Sequence, residues 1–174
     1  MGFHDESGVS ERPFVHTTWA PKGKTPIIQS SGSWKRITLS GVIITDPEGV
    51  KPRLFLRSIV GNINSEEVIL FVKDLKRHLR GKKLLLIWDG LPAHRSRKVQ
   101  AYLATQKYWL RVARLPSYAP ELNPIEYLWD AMKKKYLANL AADLVVIGKT
   151  LRQCRRQISD RNLLRGFLCA SELY

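Results

Sequence analysis

Asp5, Asp89 and Glu126 are the residues of this chain whose types and spacing point to chemistry. Asp5 closes a short apolar stretch at the N-terminus. Asp89 ends the apolar run Leu84-Leu85-Leu86-Ile87-Trp88, and Glu126 lies in Asn123-Pro124-Ile125-Glu126 at the start of an expected helix. Three gathered carboxylates repel one another unless a cation offsets their charge, and oxygen-only donors suit Mg²⁺, with Mn²⁺ as a substitute. Two such ions about 4 Å apart clamp both the attacking and the leaving oxygen at a phosphate. One activates a water or a 3′-hydroxyl, the other steadies the departing oxyanion, and no side-chain nucleophile is required.

Each acid also has a local explanation. Asp89-Gly90 reads equally as a turn after a strand. Glu126 reads as the third-position partner of an Asn123 cap, with Pro124 at the first helical position. Asp5 lies near a terminus beside Glu6. What favours a shared site is the set of elements that carries them.

Lys35 to Thr45 and Arg53 to Val60 read as two strands joined at the turn Asp46-Pro47-Glu48-Gly49, an antiparallel hairpin. Asn64 caps a helix with Val68, Phe71, Val72, Leu75 and Leu79 on one stripe and Gly81 at its end. Lys83 to Asp89, apolar throughout its run, suits a central strand covered on both faces. A helix follows over 94–105, with Val99, Tyr102 and Leu103 inward, then a strand over 109–115. A proline-rich loop over 116–120 leads to helices over 123–139, 142–157 and 161–170. This order predicts an α/β fold: a mixed five-stranded sheet with helices on both faces. Asp89 then sits at the carboxyl end of a parallel strand, where ligands of open α/β sheets gather. Residues 7–35, rich in Gly, Pro, Ser and Thr, read as a long insertion between the first two strands.

The length of 174 residues suits one core. Formal net charge is +14, from 29 basic and 15 acidic residues, which favours a polyanionic partner and DNA first. No apolar run is long enough to cross a bilayer, and no basic amphipathic terminal helix suggests a membrane surface. The N-terminus lacks the regions of a signal peptide, so a cytoplasmic, nucleoid-associated location is expected. Cys154 and Cys169 have no metal-type spacing and are expected as two buried, reduced thiols.

Four blocks follow one pattern in order: Asp5-Glu6-Ser7-Gly8; Thr18-Trp19-Ala20-Pro21-Lys22-Gly23; Trp88-Asp89-Gly90-Leu91-Pro92-Ala93-His94; and Leu115 to Glu126, with Pro120-Glu121-Leu122-Asn123-Pro124-Ile125-Glu126 at its end. The pattern resembles the catalytic domain of insertion-sequence transposases related to the mariner group, the DDE endonucleases. The 36 residues between Asp89 and Glu126 fit that group's spacing. The resemblance implies a ribonuclease H-like fold and a two-metal site with Asp5, Asp89 and Glu126 as ligands. It implies DNA strand cleavage and strand transfer at transposon ends, a homodimer, and an insertion that helps pair subunits. His94 matches a position usually filled by histidine, where it would orient Asp89, touch DNA or cap a helix. Asn123 would cap the last helix and fix Glu126. Relatives often carry Asn where Gly90 stands.

The resemblance divides the chain into a catalytic domain over 1–140 and a C-terminal helical extension over 141–174. It also implies that the helix-turn-helix module of the family is absent here, so that the chain is either a catalytic fragment or the second of two reading frames, with the module from an upstream frame. Arg95, Arg97, Lys133, Lys134 and Lys135 are the expected phosphate contacts beside the site, with Arg152, Arg155, Arg156, Arg161 and Arg165 farther out. Trp19 and Trp34 are expected to pack within the insertion or to stack on bases. Two other functions remain open from the sequence: a ribonuclease H-like nuclease or resolvase without strand transfer, and an inactive DNA-binding fragment.

Overall fold

A computed structural model describes residues 1–30, 33–116 and 120–171. Five strands form one sheet: β1 (Gly2–Ser10), β2 (Arg36–Ile44), β3 (Arg53–Val60), β4 (Leu84–Trp88) and β5 (Leu110–Arg114), in the order β3-β2-β1-β4-β5. β1 and β2 pair antiparallel, as do β2 and β3, while β4 joins β1 and β5 in parallel. The expected mixed sheet is present. β1 runs five residues beyond Asp5, so the insertion begins at residue 11 rather than 7.

Helices cover both faces. On one face lie α1 (Ser65–Leu79) and α2 (Arg97–Thr105). The Asn64 side chain accepts from the Glu67 amide at 3.0 Å, and all five residues of the expected stripe are buried. The helix stops at Arg80, whose φ of 50° is left-handed, followed by Gly81 at 85°. α2 starts three residues later than expected because Ser96 caps it, leaving His94 in the preceding turn.

On the other face lie α3 (Pro124–Met132), α4 (Leu144–Ile158) and α5 (Arg161–Ala170). α3 widens into a π-helical turn (Lys133–Leu137) instead of continuing to 139. Asp143 and Asp160 cap α4 and α5. Ile147, Leu151, Ile158, Leu164 and Leu168 join Phe3, Leu39, Ile43 and Trp129 in one buried cluster. The C-terminal helices thus pack into the same core as β1, β2 and α3.

Three local expectations are corrected. β4 is not fully covered: Leu85, on the opposite side of the strand from the buried Leu84 and Leu86, is 39% exposed. Cys154 is buried but Cys169 is exposed, on the outer side of α5. Trp19 is wholly exposed rather than packed, and Trp34 is 75% exposed, with the Arg12 guanidinium 3.4 Å from its ring centroid. The start of the insertion is docked. Phe14 bridges Ala138, and the Asn139 side chain exchanges hydrogen bonds with the His16 backbone. Among the described residues no helix is long and apolar enough to cross a membrane.

Candidate metal centre

The alternation of β1 sends Asp5 to the face of α3 and its neighbours His4 and Glu6 to the opposite face. Asp5 is 9% exposed, and its Oδ2 accepts a hydrogen bond from the Trp129 indole at 2.9 Å. Its partner across the antiparallel ladder is Gly41. Opposed residues point the same way, so the missing side chain at 41 leaves the space Trp129 occupies. A Cβ there would meet Trp129 Cη2 at 2.8 Å.

Glu126 stands in the first turn of α3, exposed at the rim. Asp5 feels it directly. Burial first, then the charge of Glu126, pushes the Asp5 carboxyl up to about 8. Asp89 follows β4. The parallel register pairs Phe3 with Ile87, and two further residues along each strand reach Asp5 and Asp89. Asp89 Oδ1 accepts from the Leu91 amide at 3.0 Å, so the turn that explained it locally is real. It also lies 3.0 Å from His94 Nδ1, and that contact, opposed by partial burial, lowers the Asp89 carboxyl.

His94 is buried beside both Asp89 and Glu6. Burial disfavours its charge, but the two carboxylates outweigh that and raise its pKa to about 9. His4, also buried, goes the other way: desolvation lowers it to about 4, so it is neutral near pH 7. Asn123 occupies the cap position of α3 but does not cap with its side chain. Its amide instead reaches the His4 carbonyl at 3.5 Å, tying α3 to β1 and leaving its Oδ1 buried without a partner.

The three acids therefore gather at one end of the sheet, one buried and two nearer solvent. They do not form a closed ligand cage. Among the described residues, the one set of three side chains with ligand atoms all within 4.8 Å is His4, Glu6 and His94. His4 and Glu6 escaped the sequence reading, although their i, i+2 spacing on a strand put both on one face. No Lys or Arg forms an ion pair with Asp5, Asp89 or Glu126 among the described residues. An acid pair with no cation from its own chain, built of oxygen donors, fits a divalent ion.

Arg95, in the turn after Asp89, and Arg97, at the start of α2, are exposed, as are Arg152, Arg155, Arg156, Arg161 and Arg165 on α4 and α5, and none of them forms an ion pair among the described residues. Of the lysine run, Lys134 pairs with Asp130 at 2.7 Å and Lys135 lies over the Tyr136 ring, while Lys133 is half-buried. Residues 117–119 of the loop motif lie outside the described residues.

Comparison with known proteins accords with this layout. The chain is 29% identical over 134 residues to an insertion element IS630 uncharacterized 39 kDa protein of Shigella sonnei, covering 75% of this chain and 36% of that protein. Its fold matches the Mos1 mariner paired-end complex with Mn at a TM-score of 0.73 and 20% identity, over 98% of this chain and 52% of the other. The isolated Mos1 transposase catalytic domain matches at 0.65 and 18%, over 98% of this chain and 76% of that one. The chain thus spans about a third of its IS630 relative and about half of the Mos1 chain in that complex. These likenesses establish the ribonuclease H-like fold. The signature of the DDE superfamily endonucleases matches residues 1–145, most of the sequence, and the chain belongs to that family.

Proposed function

We propose that the chain is the catalytic domain of a DNA transposase, cutting DNA at transposon ends and joining the exposed 3′-hydroxyls to target DNA. The observation that carries this reading is Asp5, a buried carboxyl facing Glu126 with no ion-pairing cation among the described residues. Asp5, Asp89 and Glu126 would hold divalent ions, Mg²⁺ or Mn²⁺, with Asp5 the fixed floor and the other two closing from the rim. Bound there, two ions would supply Lewis-acid activation of a water or 3′-hydroxyl and neutralise charge at the phosphate. The chain's own residues do the rest. Trp129 holds Asp5, Asn123 ties α3 to β1, and His94 flanks Asp89. Arg95 and Arg97 attract and position phosphates without reading bases.

The Mos1 relatives are complexes with transposon ends and with Mn or Mg, which supports DNA and divalent metal as partners here. Trp19, Ile27 and Trp34 are exposed along the insertion, at 100, 88 and 75%. We assign that segment to pairing two copies of the chain. The working site would be nucleoid DNA in the cytoplasm.

The test is nicking of supercoiled plasmid with Mg²⁺ or Mn²⁺. Asp89→Asn and Glu126→Gln are each expected to lower nicking by more than roughly the 100-fold that loss of an outer-shell partner can cost. DNA binding should be largely kept. Nicking that persists in the purified double variant would reject the reading. A joining assay with a precut end separates a transposase from a nuclease or resolvase on the same fold.

A further inference from the structure

His94 is held between two acids. Its Nε2 lies 3.0 Å from Glu6 Oε1, and its Nδ1 lies 3.0 Å from Asp89 Oδ1. The ring lies flat on Trp88, with centroids 4.1 Å apart and planes 3° from parallel. It is 1% exposed, and the Glu6 side chain 9%. Behind Glu6 the connection continues inward. Glu6 Oε1 is 3.6 Å from His4 Nε2, which in turn is 3.0 Å from Ser40 Oγ in the middle of the sheet. The path thus runs from β2 through β1 to the residue that follows β4.

The His4, Glu6 and His94 ligand atoms are close enough to hold an ion themselves. The Nε2 atoms facing Glu6 are taken, however, His94 Nε2 by Glu6 and His4 Nε2 by Ser40, while the two Nδ1 atoms are buried without a hydrogen bond. The set reads as a relay rather than an ion cage, and its outer end is Asp89. That carboxylate is 45% exposed and, among the described residues, is otherwise held by the Leu91 amide of its own turn. A single backbone contact leaves a half-exposed side chain free to turn. A ring clamped by stacking and by Glu6 does not.

The geometry points to Glu6 as a positioning residue that fixes the orientation of Asp89 through His94. This rests on the reading of Asp89 as a metal ligand. Outer partners of this kind commonly account for about 10–100-fold in metal affinity.

The experiment is Mn²⁺ binding to the full chain without DNA, by calorimetry and by electron paramagnetic resonance of free Mn²⁺. Asp89→Asn should abolish tight binding. Glu6→Ala should weaken it by roughly 10–100-fold, with circular dichroism and melting showing a folded protein. Glu6→Gln keeps an oxygen to accept from His94 Nε2 and should recover most of the loss, which a merely structural effect of the charge would not predict. If Glu6→Ala fails to fold, the pair Glu6→Gln with His94→Phe takes its place, since it keeps the ring on Trp88 and strands no charge. The same loss is expected. Wild-type Mn²⁺ affinity in either folded variant overturns the inference. So does binding that survives Asp89→Asn but vanishes in His4→Ala, which would put the ion on the relay itself. Absence of Mn²⁺ binding by the unaltered chain would overturn the metal-site reading, and this inference with it.

Discussion

Asp5 links the acid–base state of the site to the stability of the domain. Its carboxyl is pushed up to about 8, by burial and then by Glu126. An Asp in the unfolded chain releases its proton near pH 4, at about 3.9. Between those values the folded chain holds a proton that the unfolded chain does not, so the metal-free domain loses stability as pH rises. The contribution is fully present below about pH 4 and gone above about pH 8. A cation binding there must displace that proton, so stabilisation by Mg²⁺ should grow over the same interval. Melting curves from pH 5 to 9, with and without Mg²⁺, should diverge upward. In Asp5→Asn the metal-free slope over this range should flatten and the Mg²⁺ effect should shrink. Parallel curves for the unaltered chain would show that Asp5 does not meet the ion.

At the scale of elements, the close seat of α3 on β1 and β2 keeps Asp5 in place. Gly41 makes that seat possible: a Cβ there would fall 2.8 Å from Trp129 Cη2 and 3.0 Å from Ile125 Cδ1. Gly41→Ala should therefore destabilise by about 1–3 kcal/mol, the usual cost of overpacking, or about 2–4 °C of melting temperature per kcal/mol. It should also weaken Mn²⁺ binding, because the displaced indole is the one that holds Asp5. Gly90→Ala, where a Cβ meets nothing within 4 Å, is the control and should leave both unchanged. Most elements were legible in the sequence, since stripe, cap and alternation each reported the packing that later appeared. Asp89 and Glu126 were legible because each ends or begins an element. Asn123 was misread because its sequence context names the cap position, while only the tertiary approach of β1 shows where the amide goes. Glu6 and His4 were passed over because their partners lie on other elements: His94 is 88 residues from Glu6.

For the molecule as a whole, the sequence suggested a boundary near residue 140, and packing puts the last two helices inside the core. Ile147, Leu151, Ile158, Leu164 and Leu168 are each at most 6% exposed and share a cluster with β1, β2 and α3. Burying a side chain of this size is worth about 1.5–3 kcal/mol. Together the five contribute on the order of 10 kcal/mol, comparable to the whole stability of about 5–15 kcal/mol expected of a domain. Removing α4 and α5 would also uncover Leu39 of β2, Phe3 on the strand that carries Asp5 and Trp129 on the helix that carries Glu126. A chain ended at residue 140 should accordingly lack a cooperative thermal transition by circular dichroism, and should lose Mn²⁺ binding with it. A cooperative transition near that of the full chain would show that the helices are an appendage and that the core closes without them. Single Leu164→Ala, expected to cost about 2–5 kcal/mol for a buried leucine, gives the graded version of the same measurement in a chain that still folds.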